Sequence, residues 1–236
     1  MADRVWPSVL VPSSETWNPN KGASRSGGRS LTNQEQVVEG PSGYATASLT
    51  IACNTPAKVL AMRSALALGR SQTWLIGPFE VSRAPWFVDP LTGGKITTCR
   101  GDKDAALDPA WDANSDTSAD LDFRTSGAAL MNATALTIQR NRGGLLSPGM
   151  LFSISGRLHI ITTLTTPDPT GDGGLAAAGT IGIQFRPWLR GDIAANTPIE
   201  FGWPRGTMRL ASDDTGAMEL QLSRFGTVTV DFVEAF

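Results

Sequence analysis

The sequence predicts a mainly β fold: a β-sandwich core domain with one short helix and an inserted small β-barrel-like module. Three observations lead to this prediction. Glycine (25 residues) and proline (15) are frequent against a single tyrosine, which is typical of many turns and short elements. Segments in which apolar residues alternate with small or polar ones recur at short intervals between turn residues. Only one segment has the caps of a helix, so a sandwich or small barrel is favoured over alternating βα units.

The order of these segments divides the chain into regions. Residues 1–36 contain a polar, glycine-rich stretch and are predicted to be an N-terminal arm or β-hairpin, of the kind that lies across neighbouring subunits in assemblies. Residues 37–99 and 207–236 are predicted to form the core β domain. Residues 100–127 are predicted to be an acidic loop, and residues 128–206 the small β module.

The one helix is predicted over residues 56–68. Thr55 can act as the N-cap, Pro56 stands at the first helical position, and Gly69 ends the helix. The expected apolar face consists of Val59, Leu60, Met62 and Leu66.

Charge and hydropathy exclude several classes of partner. The net charge of −2 points neither to nucleic acid nor to an anionic membrane, and no apolar run approaches the ~20 residues of a membrane helix. The first residues have no signal-peptide pattern, so synthesis in the cytoplasm is expected. Charged residues make up 18%, below the ~25% of typical domains. Two explanations stay open: a surface largely covered by other protein, or a β protein rich in Thr, Ser and Gly.

The sequence predicts no catalytic, cofactor-binding or metal-binding residue, and therefore no enzyme. His159 is the one histidine and lies in a strand pattern. A zinc site needs about four ligands, and a catalytic triad needs its histidine between an acid and a serine on a sharp turn. A structural role is therefore expected for His159. Cys53 and Cys99 lack metal-ligand spacing and are expected to be reduced.

The acidic region resembles a calcium loop only in part. Asp112, Asn114 and Asp116 match its first, third and fifth positions. Thr117 stands where the loop needs glycine, and Phe123 where it needs glutamate. An EF-hand is excluded; a solvated loop is favoured, with an irregular calcium site as the alternative.

Several tryptophans adjoin prolines, and two explanations apply to them. Trp86, Trp188 and Trp203 could line a carbohydrate surface or could pack in turns.

The C-terminal half carries a recognisable order of short motifs. These are LSPGMLFSISGRLH (residues 146–159), PWLR (187–190) and WPRGTMRLA (203–211), preceded by Trp-Pro near the start and a short Leu-rich helix ending in glycine. In this order they resemble the distal tail or minor tail proteins of long-tailed, siphovirus-like bacteriophages. Residues 100–124 look like an insertion relative to that pattern.

The resemblance implies a virion structural protein of the tail tip or baseplate. Such proteins form a ring, often a homohexamer, that joins the tail tube to the tip hub. The implied partners are therefore other copies of the chain, the tail tube protein and the hub protein, with the tape measure protein as a further candidate. No cofactor and no catalytic residue is implied.

Two other functions remain as alternatives. A receptor- or glycan-binding tail-tip protein would use the tryptophans and the acidic loop. A cell-wall hydrolase would need a pair of carboxylates, and nothing in the sequence singles out such a pair.

Overall fold

A computed structural model describes residues 3–22, 24–29, 31–79, 83–86, 121–170, 178–216 and 226–235. The chain forms two compact units. Unit 1 comprises residues 1–79 and 205–236, and unit 2 comprises residues 80–204. The sequence analysis placed the inserted module at 128–206, so the observed unit begins earlier in the chain.

Fourteen strands are found in the described residues, with one α-helix, α1 (Pro56–Ala67). In unit 1 they are β1 (Arg4–Val5), β2 (Ser14–Lys21), β3 (Ser24–Arg29), β4 (Glu35–Glu39), β5 (Tyr44–Cys53), β6 (Trp74–Ile76), β13 (Gly206–Leu210) and β14 (Gly226–Glu234). In unit 2 they are β7 (Asp122–Thr125), β8 (Ala135–Arg142), β9 (Leu151–Ile154), β10 (Arg157–Leu164), β11 (Gly179–Arg186) and β12 (Pro198–Ile199).

Unit 1 is built on a six-stranded sheet in the order β1-β6-β13-β14-β5-β2. β1 is parallel to β6, and the other neighbours are antiparallel. Central strand β5 alternates strictly between buried and half-buried residues, so one face of the sheet carries the core. On that face Trp6 packs edge-on against Trp74 and Phe232, with ring centroids 5.3 and 5.1 Å apart.

The first residues of the chain belong largely to this sheet. Residues 1–36 were expected to form an arm, but β1 and β2 are its two edge strands. Trp6 and Leu10 are buried, and burying their apolar surface favours this placement over a free arm. Only β3 and β4, which form a two-stranded sheet of their own, retain the character of the predicted hairpin.

Helix α1 confirms the predicted boundaries to within one residue. The Thr55 hydroxyl accepts a hydrogen bond from the Lys58 N–H at 3.3 Å, Pro56 is the first helical residue, and Gly69 follows with a positive φ of 60°. Val59, Met62 and Ala65 are the buried residues. Leu60, expected on the apolar face, is exposed because it follows Val59 by one position, about 100° around the helix.

Unit 2 is a small barrel-like sheet in the order β12-β7-β8-β11-β10-β9. The two ends of this order meet, because Ser153 in β9 and Glu200 beside β12 exchange both backbone hydrogen bonds at 2.9 Å. β9 and β10 are joined by Ser155 and Gly156, both with positive φ, as a two-residue hairpin requires. The interior is filled by buried apolar side chains, among them Phe123, Ile138, Phe152, Ile181, Ile183, Phe185 and Phe201.

The fold class is therefore confirmed. The described residues are mainly β, with one helix, a core sheet and a nearly closed barrel-like sheet. This architecture is consistent with the predicted β-sandwich core plus barrel-like module.

Unit 2 contains a buried ion pair between Arg140 and Asp168. The Arg140 side chain is 1% exposed, and its Nη1 lies 2.6 Å from Asp168 Oδ1. The guanidinium also donates to the carbonyl oxygens of Gly144 and Pro169, at 3.1 and 2.6 Å. Asp168 Oδ2 accepts the Leu146 N–H at 2.7 Å. The pair therefore ties β8 to two loops whose backbone groups would otherwise lack these partners.

Removing Arg140 is expected to destabilise unit 2. Arg140→Met leaves the Asp168 carboxylate buried without its cation, which costs ~3–5 kcal/mol of unfolding free energy. Arg142→Met, at an exposed position of the same strand, is the matched control and should cost less than ~1 kcal/mol. Urea unfolding, with hydrogen exchange of residues 121–170, measures both. Equal losses for the two variants would contradict a structural role for the pair.

Candidate interaction surface

The six-stranded sheet of unit 1 has a polar outer face. Antiparallel register places Ser48 of β5 beside Thr16 of β2 and Asp231 of β14, and places Thr50 beside Thr229. The hydroxyls of Thr50 and Thr229 lie 3.3 Å apart. This part of the face therefore carries neighbouring short hydroxyl side chains, with Asp231 beside them.

An open groove of about 630 Å³ runs over four strands of this face. Its side chains include three cations, Lys21, Arg70 and Arg209, and one carboxylate, Asp231. Tyr44 is the one tyrosine of the chain and also lines it. Among the described residues none forms an ion pair with these four charges. The groove thus combines net positive charge, hydroxyl groups and one aromatic ring.

The hairpin β3–β4 continues the pairing of β2 with β5 beyond the sheet. Lys21 is opposite Tyr44, and Ser24 is opposite Glu39. At the junction the Ser42 hydroxyl donates to the Gly22 carbonyl oxygen at 2.9 Å. Gly22 has a φ of 76°, and a Cβ there would meet the Tyr44 ring at 3.0 Å. Glycine therefore allows the strand to bend where the hairpin leaves the sheet.

The hairpin exposes apolar side chains on both of its faces. Val37 and Val38 are adjacent in β4 and so point to opposite faces, yet they are 61% and 55% exposed. Leu31, in the turn, is fully exposed. Sequence reasoning located a hairpin here but missed these side chains; the available signal was two adjacent valines between glutamates, a pattern with no buried face.

Three more exposed valines lie near the start of the chain, between the two edges of the sheet. Val5 in edge strand β1 is 42% exposed, and Val9 and Val11 are similarly exposed. Arg4 beside Val5 is also exposed.

His159 lies inside unit 2 and away from solvent. Its Nδ1 is 2.9 Å from the Pro187 carbonyl oxygen, and because a carbonyl can only accept, Nδ1 carries the proton. The ring stacks on Phe152 and meets Phe185 edge-on, at centroid distances of 5.3 and 5.1 Å. Burial, with a smaller contribution from the Arg157 charge, lowers the pKa of His159 to about 3. The histidine is thus a neutral donor that fixes the segment after β11.

The three tryptophans considered for carbohydrate binding differ in exposure. Trp86 is buried in unit 2, so its ring cannot serve as a sugar platform. Trp188 and Trp203 are half-buried, and the Trp188 carbonyl oxygen accepts a hydrogen bond from Arg157 at 2.6 Å. None of these three tryptophans therefore has a fully exposed ring.

The remaining sequence predictions concern ligands and thiols. Among the described residues no group of three or more His, Cys, Asp or Glu side chains could hold a metal ion. Asp112, Asn114 and Asp116 lie outside the described residues, as does Cys99. Cys53 is free and buried, and burial raises the pKa of its thiol.

The depressed pKa of His159 predicts a pH dependence of stability. The unfolded chain binds a proton near pH 6.5 but the folded chain binds it only near pH 3. The contribution of His159 to the unfolding free energy is therefore full above pH 6.5. It decreases as the pH is lowered from 6.5 towards 3, by up to ~1.4 kcal/mol per pH unit.

His159→Asn keeps a donor for Pro187 but cannot titrate. Its unfolding free energy should therefore fall less steeply than that of the wild type between pH 6.5 and 4, while the two curves run parallel above pH 7. Equilibrium denaturation at a series of pH values measures this difference. Parallel curves over the whole range would contradict a buried neutral histidine.

Comparison with known proteins adds no relative from which a function could be carried over. No protein-family model matches the chain, and no curated protein matches it either. In the described residues no helix is long and apolar enough to cross a membrane. The function is therefore argued from the surfaces above and from the sequence.

Proposed function

We propose that this chain is a ring-forming structural protein of a phage tail tip or baseplate, which joins the tail tube to the tip hub. Its partners are other copies of itself, in a ring of six, together with the tail tube and hub proteins. The order of motifs in residues 146–211, which resembles that of distal tail proteins, supports the phage setting. The exposed hairpin supports self-association.

The hairpin is the observation that carries the proposal. An isolated two-stranded ribbon is marginally stable in water, and this one keeps Leu31, Val37 and Val38 in solvent. Covering these side chains with another chain would stabilise the ribbon and bury apolar surface at about 25 cal/mol per Å². Because the ribbon leaves the core sheet at Gly22, it extends beyond unit 1's own core and can reach a neighbour.

The outer face of unit 1 supports a role in contact with protein. It carries many Thr and Ser hydroxyls, whose short side chains lose little conformational entropy on being covered, beside the four charged side chains of the groove. Low charge over the whole chain, 18%, agrees with a subunit that is partly enclosed in an assembly.

The purified chain is expected to form an oligomer of about six times its 25.0 kDa mass. Mass photometry gives the mass, and negative-stain electron microscopy shows whether the particle is a ring. Replacing residues 24–39 by an Asn-Gly turn should leave the six-stranded sheet intact, because β3 and β4 pair only with each other in the described sheets. The variant should be monomeric, because it lacks the proposed contact.

Leu130→Ser is the control for that experiment. Leu130 is an exposed leucine of unit 2, outside the hairpin, and its replacement should leave the oligomer intact. A wild-type chain that stays monomeric at high concentration would contradict the proposed function.

A receptor- or glycan-binding function is the second candidate, and the groove of unit 1 favours it. Tyr44 offers an aromatic face, and the surrounding Thr, Ser and Arg side chains offer the hydrogen-bonding groups that a saccharide needs.

Under this second function, Tyr44→Ala should reduce glycan binding at least tenfold while leaving the fold intact. Glycan arrays followed by calorimetry on any positive glycan would measure the loss. Trp188→Ala, in unit 2, tests the tryptophan alternative in the same assay. Unchanged binding in Tyr44→Ala would exclude the groove as the binding site.

A further inference from the structure

We propose that the groove of unit 1 binds an acidic polysaccharide, one that carries carboxylate or phosphate groups along its chain. The inference rests on the second candidate function, glycan binding, and names the chemical class of the glycan. It does not depend on the formation of a ring. All of the side chains involved belong to unit 1, on β2, β5, β14 and β13 and on the short turn that carries Arg70.

The charges of the groove are unequal in number and unpaired. Lys21, Arg70 and Arg209 are exposed and carry three positive charges, against one negative charge on Asp231. None of the four forms an ion pair with a described residue. Neighbouring cations without counter-charges repel one another, and a bound anion relieves this repulsion. The groove therefore favours a negatively charged ligand over a neutral one.

The strand register orders these charges along the face. Lys21 is opposite Tyr44 on β5, and Arg209 belongs to the row of Thr46, two residues further along β5. Asp231 belongs to the row after that. Three inter-strand spacings separate the strands of Lys21 and Arg209, about 14 Å. A ligand that crosses the strands therefore needs at least two anionic groups to meet both cations, as a repeating acidic polymer has.

The uncharged groups of the groove suit a saccharide. The hydroxyls of Thr16, Thr46 and Ser48 line it and make no hydrogen bond with described residues, so they are available to sugar hydroxyls. Tyr44 and Val233 add apolar surface, on which the C–H face of a sugar ring can pack. The volume of about 630 Å³ lies within the ~300–1,000 Å³ of small-molecule sites, so a few sugar units fill the groove.

An acidic peptide is the other class of ligand with this charge. Extended peptides bind to sheets by adding to an edge, where backbone groups are free to pair. The groove lies instead over the face of the sheet, and its central strands β5 and β14 are each paired on both sides. The hydrogen-bonding groups that this face offers are side-chain hydroxyls, which favours a saccharide.

Two matched pairs of glycans test the inference by calorimetry on the full-length chain. Oligogalacturonate is compared with its methyl ester, and phosphomannan with the same mannan without its phosphate groups. At least one acidic glycan should bind ~tenfold or more tightly than its neutral counterpart, because charge-assisted hydrogen bonds are lost in the neutral one. The difference should shrink as the salt concentration is raised, because salt screens exposed charges. The two pairs distinguish carboxylate from phosphate as the preferred anion.

Single variants assign the effect to the groove. Lys21→Gln and Arg209→Gln should each weaken binding of the acidic glycan at least ~fivefold. Asp231→Asn should strengthen it, because this variant removes the one carboxylate of the groove. Arg63→Gln, at an exposed position on α1 outside the groove, removes the same charge and should leave binding unchanged. All four positions are exposed, so circular dichroism should show the wild-type fold.

The remaining outcomes separate this inference from the function on which it rests. Equal binding of acidic and neutral glycans overturns the charge preference and leaves glycan binding standing. If no acidic glycan binds, the inference fails, and glycan binding fails with it only if the glycan array is also empty. Polyglutamate that binds as tightly as the acidic glycan, with the same loss in Arg209→Gln, assigns the groove to an acidic peptide. Equal losses in Arg63→Gln and Arg209→Gln exclude the groove as the site.

Discussion

The two-residue alternation along β5 and β14 is the constraint on which unit 1 depends. One set of side chains, including Leu49, Ile51 and Val230, is fully buried, and a shift of register by one residue would carry it to the solvent face. Burial on one side therefore fixes the register of the sheet. The same register determines which hydroxyl and charged groups appear together on the other side. The polar groove is thus a consequence of core packing, although nothing in the core requires its particular side chains.

Beyond Lys21 and Tyr44 the same pairing continues without a core. In β5 the alternation buries every second side chain, whereas in β4 both faces remain in solvent. None of the described side chains of the hairpin is buried, so most of the free energy of apolar burial that stabilises the rest of unit 1 is missing there. A second molecule can supply it. This difference along one continuous ribbon separates the part of unit 1 that folds for itself from the part available to a partner.

Local signals were sufficient to predict much of this fold. Thr55, Pro56 and Gly69 mark the helix because caps act over a few residues, and Ser155-Gly156 marks a hairpin because both positions adopt positive φ. Pairings between distant segments could not be predicted. The addition of β2 to β5 and the parallel pairing of β1 with β6 depend on where Trp6 and Leu10 find apolar surface, which is a property of the folded core. For the candidate surface, the hairpin could be located from sequence, but the exposure of Val37 and Val38 could not.

Unit 2 places polar side chains in its interior, whereas unit 1 leaves apolar side chains in solvent. Arg140 and His159 are polar groups placed inside, and each has a definite partner: the Asp168 carboxylate and the Pro187 carbonyl. Buried polar groups with matched partners favour one arrangement of the chain over others, so these two residues fix loops around the barrel. Unit 1 instead leaves apolar side chains in contact with solvent, among them Val37 and Val38 of the hairpin. Exposed apolar side chains occur in both units, since Leu130 and Met131 of unit 2 are as exposed as Val37 and Val38. Exposure alone therefore does not assign an interface to unit 1. The hairpin differs from unit 2 because none of its described side chains is buried, so apolar burial within the chain contributes little to its stability.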